Sequence, residues 1–337
     1  MFQAQLYLSS FRVFFKFIWW KISPKSYRRR YSPTKKVYSI GIVRGDSPLY
    51  LNKSLDLSKP VITFDDITDI PATVVADPFM IKVEDYWYMF FEVKNSIRNL
   101  GEIGLAKSND TINWKYEGIV LRKPHHLSYP YAFEYQGEYF MIPEASRSKA
   151  ITLYKASKFP YQWKPIKNLL EGQRFADNSI FNFQNKWWLY TDAGKDSRNP
   201  LLKLYYSDTL LGTWKEHAKS PILKNSPHKS RPGGRVIIVD GKPIRFAQDI
   251  FPDYGKQVYA FQVTKLSTMD YEEKEFGTNP IVQNGDYYWN KDGMHHVDAH
   301  KSTDGSWIAC VDGYWHQKRN SNSELIRILN RNKITNL

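Results

Sequence analysis

A segment built as apolar run, polar turn and second apolar run occurs five times in this chain, and each copy ends on an acidic or amide side chain. The copies read ADPFMIKVEDYWYMFFE (Ala76–Glu92), SYPYAFEYQGEYFMIPE (Ser128–Glu144), ADNSIFNFQNKWWLYTD (Ala176–Asp192), PGGRVIIVDGKPIRFAQ (Pro232–Gln248) and HVDAHKSTDGSWIACVD (His296–Asp312). Self-similarity at a period of about 40–55 residues marks a propeller or a solenoid. The turns fall at Glu84-Asp85, Gln136-Gly137, Gln184-Asn185, Asp240-Gly241 and Asp304-Gly305, so each copy predicts a β-hairpin. A third strand follows four of the hairpins, in IGLAKSNDTINW, ITLYKASKFPYQW, LKLYYSDTLLGTW and VYAFQVTKLSTMDY. A short fourth strand after each makes a propeller blade. The fifth hairpin has no such successor, and YSIGIVRG (Tyr38–Gly45) resembles its missing outer strand. That strand would close the ring and remove open sheet edges. The expectation is an all-β, five-bladed β-propeller over residues 37–313, closed by an N-terminal strand. It is preceded by an amphipathic helix and basic segment at 1–36 and followed by a polar, basic tail at 314–337.

Composition sets the outer bounds. The 337 residues exceed one ordinary core, yet closed all-β folds hold this length as one domain. Eleven Trp and 23 Tyr suit strand cores and sugar-stacking surfaces alike, so aromatic content does not decide function. The single cysteine, Cys310, excludes an internal disulfide framework and fits a reducing compartment. It lies in an apolar run and reads as a buried, inert thiol. The net charge of +14 calls for an anionic partner, but no nucleic-acid motif is present and the basic residues are dispersed outside the N-terminus, so nucleic acid is not expected.

The N-terminus carries the clearest partner signal. In MFQAQLYLSSFRVFFKFIWWK, Gln5, Ser9, Arg12 and Lys16 fall on one helical stripe, and apolar, mostly aromatic residues cover the rest. Arg12 and Lys16 interrupt the apolar run, so it is not a membrane span, and no small-residue cleavage site follows it. Arg28, Arg29, Arg30, Lys35 and Lys36 come next. An aromatic amphipathic helix followed by a basic cluster reads as an interfacial anchor on an anionic surface. The expected location is cytoplasmic, peripheral on the inner face of the membrane. The alternative is a helix packed against the protein's own domain.

Hairpin geometry converts the repeat into a site. The start of strand one and the end of strand two lie at the same end of an antiparallel hairpin. If each first strand is innermost, these ends ring one mouth of a central channel. Asp77, Glu144 and Asp177 then become neighbours, with Arg231, Arg235, Gln248, Asp249, Tyr254, His295, His296 and Asp298 near the same rim. Grouped carboxylates are what glycosyl transfer requires, one to attack or activate, one to protonate the leaving oxygen and one to tune them. Singly, such acids more often cap turns or pair with Lys and Arg, but recurrence at one register favours the functional reading. Glu92, Asp192 and Asp312 are weaker choices, because their surroundings read equally well as turns. Arg231 and Arg235 flank Pro232-Gly233-Gly234, and two guanidiniums beside a glycine turn suit a diphosphate or carboxylate. They would serve equally to neutralise Asp249 and neighbouring acids. His295, His296 and His300 match no firm zinc spacing and read as sugar-binding or packing residues. No metal and no cofactor are expected.

The ADPF start at Asp77, ADNSIF around Asp177 and the five repeats resemble the five-bladed propellers of glycoside hydrolase families 43, 32 and 68. In those families a first-blade Asp is base or nucleophile, and later blades supply a further Asp and a Glu acid. SRPGGR (Ser230–Arg235), FAQD (Phe246–Asp249), Tyr254-Gly255 and GMHHVDAH (Gly293–His300) resemble signatures of the N-terminal propeller of glucosamine inositolphosphorylceramide transferases. This resemblance covers roughly Tyr38 to Gly313. The hydrolases usually place their acid differently from Glu144, and the plant-type transferases carry a separate catalytic domain with no counterpart in these residues.

The leading expectation is a glycosyltransferase of cell-surface polysaccharide or glycolipid assembly. It would move a sugar from a donor with a phosphate leaving group to a glycan or glycolipid acceptor. Asp77 would be general base, Glu144 and Asp177 charge-tuning or acceptor-binding groups, and Arg231 with Arg235 would hold the donor phosphate. Analogy with the hydrolases adds a furanose as a candidate sugar. The alternatives are a glycoside hydrolase using Asp77 and Glu144, and a non-catalytic glycan-binding propeller relying on Tyr287, Tyr288 and Trp289.

Overall fold

The computed structural model describes residues 34–51, 58–196 and 199–318. The expected amphipathic helix, most of the basic segment and the tail beyond Lys318 lie outside the described residues. After β1 (Thr34–Gly45), four antiparallel sheets follow in chain order. Blade one holds β2 (Ala72–Val83), β3 (Tyr86–Asn95), β4 (Leu100–Ser108) and β5 (Lys115–Leu121). Blade two holds β6 (Ser128–Tyr135), β7 (Glu138–Glu144), β8 (Ala150–Lys158) and β9 (Gln162–Glu171). Blade three holds β10 (Ala176–Phe183), β11 (Lys186–Asp192), β12 (Leu201–Ser207), β13 (Lys215–Glu216) and β14 (Leu223–Lys224). Blade four holds β15 (Arg231–Pro232), β16 (Ile237–Val239), β17 (Lys242–Gln248), β18 (Gln257–Leu266), β19 (Tyr271–Glu275) and β20 (Val282–Gln283). The fifth sheet contains β21 (Val297–Lys301) and β22 (Trp307–Lys318), with β1 paired to β22 from Thr34↔Lys318 to Gly45↔Trp307. β22 thus continues five residues into the segment read from sequence as tail. The protein is a five-bladed β-propeller.

The turns explain why the hairpins form where they do. Gln136-Gly137, Gln184-Asn185 and Asp240-Gly241 all have positive φ, the backbone of the type I′ turn whose twist matches a β-hairpin. Each pair of neighbouring blades is cemented by its own apolar cluster. Met80 and Phe91 of blade one meet Ile40 and Ile308 of blade five, and Phe90 and Ile103 meet Met141 and Tyr154 of blade two. Tyr131 and Phe133 pack on Ile180 and Trp187, Phe181 and Trp188 on Val263 and Tyr271, and Ile244 and Phe246 on Val297 and Trp307. No single blade buries its two apolar faces alone, so the ring is the smallest unit that does.

The inner strands β2, β6, β10, β15 and β21 line the axis. Three share one irregularity: pairing slips between Ala76 and Phe79, between Ser128 and Tyr131, and between Ala176 and Ser179. The residue entering each bulge is left-handed, with φ 53° at Asp77, 45° at Tyr129 and 50° at Asp177. None is glycine, so each costs of order 1–2 kcal/mol. Bulges of this kind re-aim a side chain at the end of a strand.

Candidate active site

The three strained N–H groups each find an acceptor. Asp77 N donates to Asp312 Oδ2 (3.0 Å), Tyr129 N to Asp77 Oδ2 (3.3 Å) and Asp177 N to Glu144 Oε2 (3.1 Å). An acid of one blade therefore anchors the bulge of the next, which offsets the backbone strain and draws the carboxylates together. They converge on a cavity of about 190 Å³ at the channel mouth, lined by Tyr38, Val74, Ala76, Asp77, Glu92, His126, Ser128, Glu144, Asp177, Arg231, Tyr254 and His295.

Charge balance in the cavity centres on Arg231. Its Nε donates to Asp177 Oδ2, Nη2 lies 3.7 Å from Glu144 and Nη1 3.6 Å from Asp192, all of them buried. Gln248 Nε2 gives Asp177 a further bond at 2.8 Å. Burial nevertheless pushes Asp177 up to about 7, since Arg231 offsets only part of the desolvation and Glu144 adds repulsion. Burial likewise pushes Asp77 well above the usual carboxylate range, and lifts Glu92 to about 8 with the help of Glu144 and Asp177.

On the opposite wall His295 forms a polarised pair. Burial disfavours the imidazolium, but the adjacent Asp312 overrides it and raises His295, while His295 in return holds Asp312 low against its own burial. Because ionised Asp312 can only accept, the 2.7 Å contact fixes the proton on His295 Nδ1. That leaves Nε2 facing Asp77 Oδ1 at 3.9 Å. Asp77, His295 and Asp312 each offer a ligand atom within 4.8 Å of the others and could hold a small divalent cation. In the present geometry the Asp312 oxygens already accept from Asp77 N, His295 N and His295 Nδ1.

The expected residues separate by depth. Asp77, Glu144, Asp177, Arg231, Tyr254 and His295 line the cavity, and Gln248 stands behind Asp177. The other four do not line it. Arg235 was expected beside Arg231, but its guanidinium is committed to Asp298 and the carbonyls of Ala132 and Met80, over the Tyr131 ring. Asp298 also accepts from Met80 N and bonds His300. Asp249 faces His228 and Gln257 instead of the arginines. His296 is wedged between Phe79 and Tyr129, its imidazole kept neutral by burial that lowers it to about 4. Conversely, Glu92 lines the cavity and Asp312 buttresses it although both were weaker sequence choices, because each lies within a strand rather than in a turn. Tyr38 and His126 had no sequence signal beyond lying next to the repeats.

A ring of five blades enclosing an acid-lined cavity defines a β-propeller with a central polar site. Its fold is shared with a thermostable family-43 glycoside hydrolase (TM-score 0.53, 15% identity, 73% of this chain and 90% of that one). It is also shared with a family 117 glycoside hydrolase from Zobellia galactanivorans (TM-score 0.53, 13% identity, 82% and 90%). At such identities the likeness concerns the fold alone. Within this class, the chain belongs to the family described as glucosamine inositolphosphorylceramide transferase 1, N-terminal, which matches residues 33–314. Proteins named glucosamine inositolphosphorylceramide transferase 1 from Oryza sativa subsp. japonica and Arabidopsis thaliana are 33% and 35% identical over 297 residues, 82% of this chain. The chain spans about 40% of the length of those relatives.

Proposed function

We propose that this propeller is the sugar-handling unit of a glycosyltransferase of glycolipid or cell-surface polysaccharide assembly, working at the cytoplasmic face of a membrane to which residues 1–36 bind. The convergence of Asp77, Glu92, Glu144 and Asp177 on one small cavity carries this reading. A cavity of about 190 Å³ is below the roughly 300–1,000 Å³ of drug-sized sites and suits one sugar ring. In the reaction, Asp77 takes the proton of an acceptor hydroxyl as that oxygen attacks the anomeric carbon and the phosphate departs with the bonding pair. Burial raises this carboxyl above the usual carboxylate range, which makes its ionised form a stronger base. Glu144 and Asp177 bind sugar hydroxyls and set the charge around Asp77. Arg231 already balances buried acids, and a phosphate inside an acid-lined cavity would be repelled. The donor phosphate therefore belongs at the rim, and Arg235 has no part in holding it. The names of the plant relatives support sugar transfer to a phosphate-bearing lipid; a furanose donor rests on analogy alone.

A hydrolase is the second reading, favoured by Glu92, which at about 8 stays protonated near neutrality and could protonate a glycosidic oxygen. The deciding experiment incubates the full chain with nucleotide sugars and polyprenyl-phosphate sugars and measures transfer to lipid and glycan acceptors. Transfer that drops about 10²–10⁴-fold in Asp77→Asn supports the proposal. Cleavage of neutral oligosaccharides without any donor use would replace it with the hydrolase reading.

A further inference from the structure

Of the four acids that line the cavity, Glu92 is held differently from the rest. Asp77 accepts from Tyr129 N, Glu144 from Asp177 N, and Asp177 from Arg231 and Gln248. Among the described residues the Glu92 carboxyl has no donor within hydrogen-bond reach, and it faces His126, whose Nε2 lies 3.6 Å from Oε1. Burial lifts Glu92 to about 8, with Lys94 opposing and Glu144, Asp177 and Asp312 adding repulsion, so near neutral pH the carboxyl carries a proton.

His126 is fixed from behind. It lies on the link between β5 and β6, where Leu127 N donates to Gly101 O (3.0 Å) and Gly101 N donates to His126 Nδ1 (2.8 Å). A ring nitrogen that accepts carries no proton, so the neutral imidazole holds its hydrogen on Nε2, the atom that faces Glu92. Burial, with Lys94, Arg147 and His125 nearby, lowers His126 to about 4 and keeps it neutral. The close approach requires glycine at 101. A Cβ there would stand 2.1 Å from Leu127 O, 2.7 Å from His126 Cε1 and 2.8 Å from Glu92 Oε1. The arrangement reverses that of His295, which donates through Nδ1 to Asp312. Only an unprotonated oxygen accepts from His126 Nε2–H, so a bond to Oε1 leaves the Glu92 proton on Oε2.

We propose that Glu92 is the proton donor of the cavity and that His126 is its positioning residue, holding Oε1 and presenting the Oε2 hydroxyl to a bound sugar. The 3.6 Å separation is longer than a hydrogen bond, and contacts of this kind tighten when ligand binds. The inference rests on the reading of the cavity as a sugar site, and it supplies the proton donor that complements Asp77. As the bond from the anomeric carbon to the departing oxygen breaks, that oxygen takes the bonding pair and the Oε2 proton. Glu92 is left as a carboxylate, stabilised by the His126 N–H, and regains a proton from solvent. The contribution grows with the basicity of the departing oxygen, small for a phosphate and large for a sugar hydroxyl.

Long-range ¹H–¹⁵N NMR of the full chain, labelled at the histidine nitrogens, reads tautomer and charge without any need for turnover. His126→Gln assigns the signal. The expected result is a neutral, Nε2-protonated His126 from pH 5 to 8, with a step in its Nε2 shift around pH 8 that is absent in Glu92→Gln. An Nδ1-protonated ring, a ring that titrates near the ordinary value of about 6.5, or the lack of a step would overturn the pairing. With turnover of a sugar in hand, Glu92→Gln should lose about 10²–10⁴-fold on a basic departing oxygen and far less on a phosphate. His126→Phe should move the pH limb set by Glu92 upward, because losing an N–H donor disfavours the carboxylate, whereas His126→Gln, which keeps a donor amide, should not. Equal losses across departing groups, or an unmoved limb in His126→Phe, would overturn the proton-donor role. The expected NMR signature in a chain that neither transfers nor cleaves any sugar would remove the sugar reading, and the donor role with it, while the pairing stands.

Discussion

Removing Arg231 should reveal how the acid cluster is held together. Its guanidinium contacts Asp177, Glu144 and Asp192, and all four side chains are buried. Arg231→Met keeps much of the volume and deletes the compensating charge, leaving three carboxyl groups to face one another. Breaking a buried ion pair on one side costs about 3–5 kcal/mol. The protein can recover part of this by protonating a carboxyl, and that fixes the pH dependence. Asp177 stands at about 7 with Arg231 present, above its value of about 4 in an unfolded chain, and loss of the guanidinium raises it further. The folded variant then holds a proton that the unfolded chain releases. Its stability is greatest below the unfolded carboxyl range and is lost as pH rises through the folded value, with a slope of about 1.4 kcal/mol per pH unit for one proton. Urea unfolding followed by tryptophan fluorescence at intervals from pH 5 to 8 measures this directly. The expected pattern is a deficit that widens toward pH 8, and that shrinks at pH 8 in Arg231→Met/Asp177→Asn. A pH-independent deficit below about 1 kcal/mol would refute the assignment of Arg231 as the counter-charge of the cluster.

Three further outcomes follow from the same geometry. With hydrolysis established, the rate should fall as pH rises through about 8, where Glu92 loses its proton, and Glu92→Gln should abolish that limb in a pH–rate profile. Tyr129→Phe removes a hydroxyl that accepts from Gly234 N at 2.7 Å and also contacts Gly234 O and Ser179 Oγ, so urea unfolding should show a loss of about 1–3 kcal/mol. Gly234→Ala places a Cβ 1.7 Å from Val297 O at φ +148°, where blades four and five bridge, and should cost about 3 kcal/mol or more; a melting temperature equal to the parent's would contradict the crowding.

The ring and its principal acids were legible because both follow from a repeat. Turn pairs such as Gln136-Gly137 and Asp240-Gly241 mark where each hairpin reverses, and the shared register Ala76↔Glu92, Ser128↔Glu144 and Ala176↔Asp192 carries Asp77, Glu144 and Asp177 to one level. Depth was not legible. Proximity to the rim in sequence grouped Arg235, His296 and Asp298 with the cavity, yet each residue along a strand moves about 3.3 Å and changes side. His295 therefore enters the cavity while its neighbour His296 packs on Phe79, and Asp249 turns away where Gln248 turns in. The bulges were equally silent, because left-handed φ at Asp77, Tyr129 and Asp177 depends on partners contributed by other blades. Asp312, which anchors the first of them, lies 235 residues away in the chain.

That long-range anchor gives the protein a property that reaches beyond its architecture. Blade five supplies both the acceptor for the Asp77 backbone and the histidine that faces its carboxyl. A nascent chain that has completed four blades already contains Asp77, Glu92, Glu144, Asp177 and Arg231, but not the wall that orients the first of them. Under the proposed role of Asp77, its chemistry would be conditional on the last strand, and a product lacking blade five would be silent. In that reading the final blade would be an arming step, tying completion of the ring to the onset of activity.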